Sequence, residues 1–322
     1  MKTILLTNIY NGTPLDIVNS AVPEGFRLIM PERLSQDYLE KYAPEADYIL
    51  ASGRLKIGRQ VLSKAKRLRM VQRTGVGLDS LDLEALREMN IPLYVNQGVN
   101  SQSVAEHALL LMLACLRHLT VINNNTKNGV WKKQEQGTRT HELNGKTVGL
   151  IGMGNTARTL ARLLCAFDVE LLYYDCQKAS AETESKYHLK YRCIEEILKQ
   201  SDIISMHCAL TEETRGMINR ESIGWIKNGA VFINTARGQL ADSCALAEAL
   251  KSGKLSFAGI DVHEEEPLSA NYVLKGLDNV ILTPHIAGVT YESFYNMMHD
   301  AMRNIELFDR EELESIQQFR YL

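Results

Sequence analysis

The most constraining stretch of this chain is residues 146–175, KTVGLIGMGNTARTLARLLCAF followed one residue later by VELLYYD. Residues 147–151 are apolar and suited to a strand, 152–154 read Gly-Met-Gly, and 155–167 carry the apolar period of a helix. A second apolar run, 169–174, ends at Asp175. Strand, glycine turn, helix and strand in that order make a βαβ unit, which requires a parallel sheet. Gly152, Gly154 and Ala157 give G-x-G-x-x-A. The first glycine permits a tight turn, and the second lets backbone approach a pyrophosphate at a helix N-terminus. The third position needs a small residue for helix–strand packing. Asp175, 23 residues after Gly152, is placed to accept from both hydroxyls of a ribose and to repel a 2′-phosphate. The plainer alternative is that Asp175 only begins a turn. With the whole unit assembled, the prediction is dinucleotide binding, NAD rather than NADP, with Lys178 the nearby charge of opposite sense.

The same rhythm continues through candidate strands at 203–206, 230–234, 258–262 and 279–282, hence a doubly wound domain. The first hundred residues repeat the pattern, with strands at 4–9, 26–30, 48–51, 70–72 and 93–95 and helical stretches at 35–42 and 57–65. Asn-Gln-Gly-Val-Asn at 96–100 breaks the pattern. Residues 101–117 then read as an apolar core or interface helix, and 133–144 as a polar loop or arm. After Gly288 the chain turns helical to about 307 and ends in a charged tail.

Composition narrows the class. A chain of 322 residues has room for two domains, and 45% apolar against 23% charged residues is globular. A net charge of −3 supplies no overall basic field for nucleic acid or an anionic membrane. Six cysteines without a CxxC pair read as reduced thiols, which points to the cytoplasm. The start, MKTILLTNIY, has too short an apolar run for a signal peptide. The longest apolar stretch, residues 108–116, falls far below the roughly 20 needed to cross a bilayer. No two histidines share close ligand spacing, so no metal site is expected.

Three later segments carry ionisable residues where strands end, and ligands of open parallel sheets bind at carboxyl ends of strands. Arg237 follows the strand at 230–234, Asp261 and Glu266 follow the next, and His285 stands beyond the last. An arginine can grip a carboxylate in a bidentate fork. A histidine is the natural acid–base group at neutral pH, and a paired carboxylate favours its charged form and fixes its ring. Beside a nicotinamide, that set suits reduction of a 2-oxo acid by hydride transfer. Taken singly, Arg237 could be a solvated surface residue, Glu266 part of the acidic run 264–266, and His285 a structural histidine.

These motifs resemble the D-isomer-specific 2-hydroxyacid dehydrogenase family along nearly the whole chain. VQRTGVGLDSLDLEAL at 71–86 is similar to the family's G-x-G-x-D segment, and VNQGVNSQSVAEHAL at 95–109 to its VAEHA hinge and helix. SDIISMHCALTEETRGMIN at 201–219, then NTARG, DVHEEEP and TPHIAG, follow in family order. The resemblance implies two doubly wound parallel-sheet domains. One is an NAD domain of Rossmann type at 100–290; the other is a smaller flavodoxin-like substrate domain built from 1–99 and 291–322, with hinges near Asn100 and Val289. It implies His285 as acid–base, Glu266 as its paired carboxylate and Arg237 as carboxylate clamp. Backbone around Ser52, Gly53, Val76 and Gly77 would hold the substrate. Gly152, Gly154, Asn155, Thr156, Asp175, Cys208, Thr235 and Ala236 would line the cofactor. Asp261 would meet the carboxamide, with His285, Gly288 and Val76 near the nicotinamide.

The implied activity is NAD-dependent interconversion of a small 2-oxo acid and its D-2-hydroxy acid. Phosphohydroxypyruvate with 3-phosphoglycerate and glyoxylate or hydroxypyruvate are the substrates the resemblance suggests, and the length leaves no room for the regulatory domain of long members. A phosphate-bearing substrate would want a further basic residue, with Arg54, Lys56, Arg73 and Lys132 as candidates. Family members are mostly homodimers, with the helix at 104–116 a candidate contact. The alternative is an NAD(H)-responsive binding protein similar to the family's corepressors, against which the lack of a basic segment argues. Ala157, Asp168, Ala209 and His263 depart from the family pattern. Ala209 replaces a proline and should leave its loop less restrained, and His263 either touches substrate or fills space.

Overall fold

The structure is a computed structural model that describes residues 1–53 and 55–322. Arg54, one of the basic residues considered above, lies outside the described residues. The chain forms two compact units, Met1–Asn100 with Thr290–Leu322, and Ser101–Val289.

The first unit holds five parallel strands, β1 (Lys2–Leu6), β2 (Phe26–Ile29), β3 (Tyr48–Ala51), β4 (Met70–Arg73) and β5 (Leu93–Val95). They lie in the order β2-β1-β3-β4-β5, the flavodoxin-like arrangement, whose switch point is between β1 and β3. Side chains alternate across the pleat. Ile4, Leu6, Tyr48 and Leu50 pack on one face with Met298, Ala301, Met302 and Ile305 of the helix Tyr291–Asp309. Leu5, Ile49 and Ala51 pack on the other with Leu39, Val61, Leu62, Ala85 and Leu86. The end of the returning helix is anchored by charge. Asp309 accepts from the Tyr48 hydroxyl at 2.6 Å, from Arg69 at 2.5 Å and from the Lys2 ammonium. The tail is more than a charged end. Leu313–Phe319 forms a 3₁₀ turn with Ile316 buried, and the Tyr321 amide donates to Leu93 at 2.8 Å, covering the edge strand β5.

The second unit holds seven parallel strands: β6 (Thr147–Ile151), β7 (Glu170–Tyr174), β8 (Leu189–Tyr191), β9 (Ile203–Met206), β10 (Ala230–Asn234), β11 (Leu255–Ile260) and β12 (Val280–Leu282). Their order is β12-β11-β10-β9-β6-β7-β8. The chain steps outward in one direction through β7 and β8 and in the other from β9, so β6 and β9 flank the switch point. Val148, Leu150, Val231 and Ile233 face one apolar layer, and Ile151, Ile204, Met206 and Phe232 the opposite one. The helix Ser101–Leu116 belongs to the first of these layers through Ala105, Ala108, Leu111, Met112 and Cys115.

Some elements differ from the sequence expectation. Strand β8 and the helix Thr13–Ala21 are additional, the first an edge strand without a continuous apolar run and the second opened by Pro14 in its first turn. Residues Lys133–Gly137 make a short helix where a loop was expected. Asp168, standing where the family favours glycine, has φ 50°, the left-handed backbone that explains that preference.

Candidate active site

The cofactor-type residues cluster at the switch point of the second unit. Strand β6 turns at Gly152, with φ 99°, and a Cβ there would sit 2.4 Å from the Cys208 amide nitrogen beyond β9. Only glycine permits that turn and that approach. Gly154 then caps the helix Asn155–Leu164 without any side-chain bond, leaving the first-turn amides of Asn155, Thr156 and Ala157 available at the positive end of the helix. A Cβ at Gly154 would meet open space. Ala157 is buried in the core, so the extra methyl at the third position is accommodated.

Asp175 closes the other side. Its carboxylate accepts from the Met153 amide at 2.6 Å, the Gln177 amide at 3.0 Å and the Cys176 thiol at 3.4 Å. Burial opposes its charged form, yet the Gln177 and Met153 amides, the Cys176 thiol and Arg158 outweigh it, and the carboxyl lies below its ordinary range. Cys208 is half-buried, and burial together with Asp175 pushes its thiol up to about 11, against a smaller opposing backbone hydrogen bond. The loop after Cys208 is restrained despite Ala209, because the Thr214 hydroxyl donates to the Ala209 carbonyl at 2.7 Å.

Three loops at the carboxyl ends of β10, β11 and β12 are fastened to one another. Beyond β10, buried Asn234 donates to the Arg237 carbonyl at 2.9 Å and accepts from the Ala236 amide at 3.0 Å, forming the turn that presents Arg237. The Arg237 guanidinium rests on the Ala236 carbonyl at 2.7 Å. Gly238 is obligatory, since a Cβ there would stand 2.0 Å from the His263 carbonyl carbon. Thr235 contributes a buried hydroxyl with no hydrogen-bond partner among the described residues, which is the kind of group a bound ligand satisfies.

Beyond β11 and β12 the structure brings Glu266 and His285 together. His285 Nδ1 lies 2.9 Å from Glu266 Oε2 and 3.2 Å from Oε1, with the carboxylate mostly buried and the imidazole 40% exposed. The carboxylate is steadied by the His263 amide, which donates at 2.8 Å. His285 has φ 57°, a left-handed conformation that costs a non-glycine residue on the order of 1–3 kcal/mol. The turn is held nonetheless. The His285 amide donates to the Asp261 carbonyl at 2.7 Å, and the Asp261 carboxylate accepts from the Ile286 and Ala287 amides, both at 2.9 Å.

Asp261, the residue expected to meet the carboxamide, is the one that receives these bonds. It is wholly buried, and its carboxylate also accepts from the Thr283 hydroxyl at 2.5 Å and lies 3.7 Å from His107 Nε2. Its observed work is to hold the turn carrying His285. Gly288 lies in the turn that follows, closed by a bond from the Val289 amide to the Ile286 carbonyl at 2.8 Å. Asn234, Thr283 and His107 were missed as site residues, although each stands inside or beside a quoted motif. His107 Nε2 lies 3.1 Å from the Thr283 hydroxyl.

The first unit places its substrate-type loops at its own switch point. Ser52 is buried; its amide donates to the Thr7 hydroxyl at 2.8 Å and its hydroxyl lies 2.6 Å from the Tyr10 hydroxyl. Gly53 follows with φ 74°. Arg73, at the end of β4, donates to the carbonyls of Gly77 at 2.8 Å, Gly53 at 3.2 Å and Ala51 at 3.3 Å. That guanidinium ties the Ser52–Gly53 loop to the Val76–Gly77 loop. Val76 is exposed.

The model of the "D-isomer specific 2-hydroxyacid dehydrogenase, NAD binding domain" family matches residues 109–287, more than half of the chain. The chain belongs to that family. It is 39% identical over 267 residues to the hydroxypyruvate reductase of Thermotoga maritima, covering 82% of this chain and 85% of that one. The glyoxylate reductase of Pyrococcus furiosus is 34% identical over 318 residues, 93% of this chain and 94% of the relative. Among solved structures, a D-lactate dehydrogenase from Aquifex aeolicus, complexed with NAD and lactic acid, is similar at a TM-score of 0.84 and 28% identity, covering 99% of this chain and 98% of that one. The family assignment makes the protein an NAD-dependent oxidoreductase of small 2-oxo and 2-hydroxy acids.

Proposed function

We propose that this dehydrogenase reduces a short, unphosphorylated 2-oxo acid, of the glyoxylate or hydroxypyruvate kind, to the D-2-hydroxy acid with NADH. The observation that carries the chemistry is the Glu266–His285 pair at 2.9 Å, on loops fastened to the turn of Arg237. Arg237 holds the substrate carboxylate by charge-assisted hydrogen bonds. His285 donates a proton to the carbonyl oxygen as the alcohol forms, and Glu266 holds the ring through Nδ1. NADH, when bound, supplies the hydride. The helix start at Asn155, which has no side-chain cap, the Asp175 carboxylate and the buried Thr235 hydroxyl suit such a dinucleotide.

Engagement of two of the four basic candidates, Arg73 and Lys132, favours a substrate without phosphate over one that needs them. Arg73 is engaged with three main-chain carbonyls, and Lys132 pairs with Glu135 at 3.2 Å. NAD over NADP is supported by Asp175 and by Lys178, which lies 3.5 Å from Glu184. The same reading makes the protein a cytoplasmic homodimer, to be tested by fractionation and sedimentation.

The test is NADH and NADPH oxidation with glyoxylate, hydroxypyruvate, pyruvate and phosphohydroxypyruvate. We expect NADH-dependent turnover, with kcat/KM highest for glyoxylate or hydroxypyruvate. A preference for phosphohydroxypyruvate would overturn the substrate class, and no turnover with any 2-oxo acid would overturn the enzyme.

A further inference from the structure

His263 sits between Asp261 and Glu266, buried to 5% exposure, and the chemistry above does not use its side chain. Its Nε2 lies 2.9 Å from the Thr283 carbonyl. A carbonyl only accepts, so Nε2 carries a proton and donates it to that bond. The other ring nitrogen, Nδ1, is buried and has no hydrogen-bond partner among the described residues. The ring meets Tyr272 edge-on, with centroids 5.5 Å apart. The His263 main chain does separate work, its amide donating to Glu266 Oε1 at 2.8 Å.

One residue thus grips both partners of the acid–base pair. Through its amide it steadies the carboxylate, and through its ring it holds the carbonyl two residues before His285. The Thr283 side chain is fixed independently. Its hydroxyl donates to Asp261 at 2.5 Å and accepts from His107 at 3.1 Å. The Thr283 main chain is held by its amide, which donates to the Ile260 carbonyl at 3.0 Å, and by its carbonyl, which accepts from the His285 amide at 3.1 Å; the His263 ring adds the side-chain restraint on that carbonyl, at the entry to the strained backbone of His285. Gly238, packed against the His263 carbonyl, extends the same brace to the turn of Arg237.

We propose that His263 is a positioning residue, a cross-link between the Glu266 loop and the His285 loop that sets the imidazole against the carboxylate. The proposal rests on reading His285 as the acid–base group. Its chemistry separates it from simple space filling. A phenylalanine at this position keeps a ring of similar size against Tyr272 but loses the donor. A glutamine loses the ring and keeps a donor of similar reach. The charged and titratable groups around the brace are Glu264, Glu266, Tyr272, Asp261 and His107, none of which either substitution changes.

The experiment compares wild type, His263→Phe and His263→Gln by steady-state reduction of the preferred 2-oxo acid, NADH binding by fluorescence, and proton NMR of the hydrogen-bonded Nδ1 proton of His285. That resonance is assigned by its loss in His285→Ala. A displaced catalytic group costs about 10-fold to 100-fold in rate. For His263→Phe we therefore expect kcat lower by roughly 10-fold, with KM and NADH affinity within about twofold, and the Nδ1 resonance broadened away. His263→Gln restores kcat to within about threefold and keeps the resonance. A wild-type kcat in His263→Phe overturns the proposal whatever the resonance does. Equal loss of kcat and NADH binding in both variants also overturns it, since it assigns the side chain to packing alone. If wild type turns over no 2-oxo acid, the proposed function fails, and the resonance still decides the cross-link, its survival in His263→Phe overturning it.

Discussion

At the carboxyl ends of the five-stranded sheet, the polar groups largely satisfy one another: Ser52 with Thr7 and Tyr10, and Arg73 with the carbonyls of Ala51, Gly53 and Gly77. At the corresponding ends of the seven-stranded sheet, a carboxylate–imidazole pair, an arginine and a second carboxylate stand on turns that internal hydrogen bonds hold rigid. Both sheets are parallel and both have a switch point. The difference is in what is spent on shaping loops. The first unit uses its arginine to hold backbone, so what it can present is mainly main chain. The second uses buried Asn234 and Asp261 to hold backbone, and on the proposed reading Glu266 and His285 serve the chemistry. Parallel α/β layers thus supply the place for function, and on the proposed reading side-chain allocation at the strand ends decides which layer reacts.

The sharpest way to break that contrast is His285→Ala. Loss of a general acid costs about 10²–10⁴-fold in kcat, while NADH binding, measured by fluorescence, should change less than about threefold. Comparable loss of NADH binding would remove His285 from the chemical step.

Glycine substitutions sharpen it next. Gly238→Ala places a methyl 2.0 Å from the His263 carbonyl carbon, where the obstacle is backbone. Overpacking of this kind costs about 1–3 kcal/mol or more, so urea unfolding should register a large loss. Gly53→Ala in the first unit brings its Cβ no closer than 3.4 Å to the flexible Asn8 side chain, leaving chiefly the strain of φ 74°. That strain is worth about 1 kcal/mol. Equal losses for the two variants would mean that the strand-end loops are not differently constrained.

Acid stability separates the units in a third way. Burial holds the His207 imidazole down, at about 4. Its folded value is depressed, so the unfolded chain binds the proton first as pH falls. The resulting loss begins near pH 6.5 and is complete near pH 4, with no contribution above that window. A shift of that size is on the order of 3 kcal/mol. His118 moves in the same direction, through burial and then through His141 and Arg139. His207→Gln should flatten the decline in unfolding free energy between pH 6.5 and 4; an unchanged slope would contradict the assignment.

The smallest effect belongs to the first unit. Arg73→Ala frees three carbonyls without removing any reacting group, so KM for the 2-oxo acid should rise several-fold while kcat stays within about twofold. A fall in kcat with KM unchanged would give Arg73 a part in the chemical step.

The sequence made the second unit legible because Gly152, Gly154 and Asp175 report on local backbone demands that few residues satisfy. Parallel sheets buried on both faces also leave continuous apolar runs, and β9 and β10 are read at their observed bounds for that reason. Strand β8 lies at the sheet edge with Leu189 buried and Lys190 exposed, so it leaves no apolar run of the kind that marks the equally short β5. Arg237, Glu266 and His285 could be named from motifs, but the groups that position them could not. Asp261 reads in sequence as a ligand-facing carboxylate, and its additional bonds to the 283–287 turn become visible only in the fold. His263 and His107 meet at Thr283 across long sequence separations that no local pattern encodes. Ala209 illustrates the converse. A lost proline suggests a looser loop, while a hydroxyl five residues later restrains it.

The central claim is that His285, held by Glu266, gives its proton in reduction and takes it in oxidation. The most direct measurement is kcat/KM against pH in both directions, for the preferred 2-oxo acid with NADH and its D-2-hydroxy acid with NAD. Mirror-image limbs are expected: reduction, which consumes a proton, falls with rising pH, oxidation, which releases one, falls with falling pH, and His285→Ala abolishes both limbs. Limbs of the same sense in the two directions, or limbs that survive His285→Ala, would contradict it.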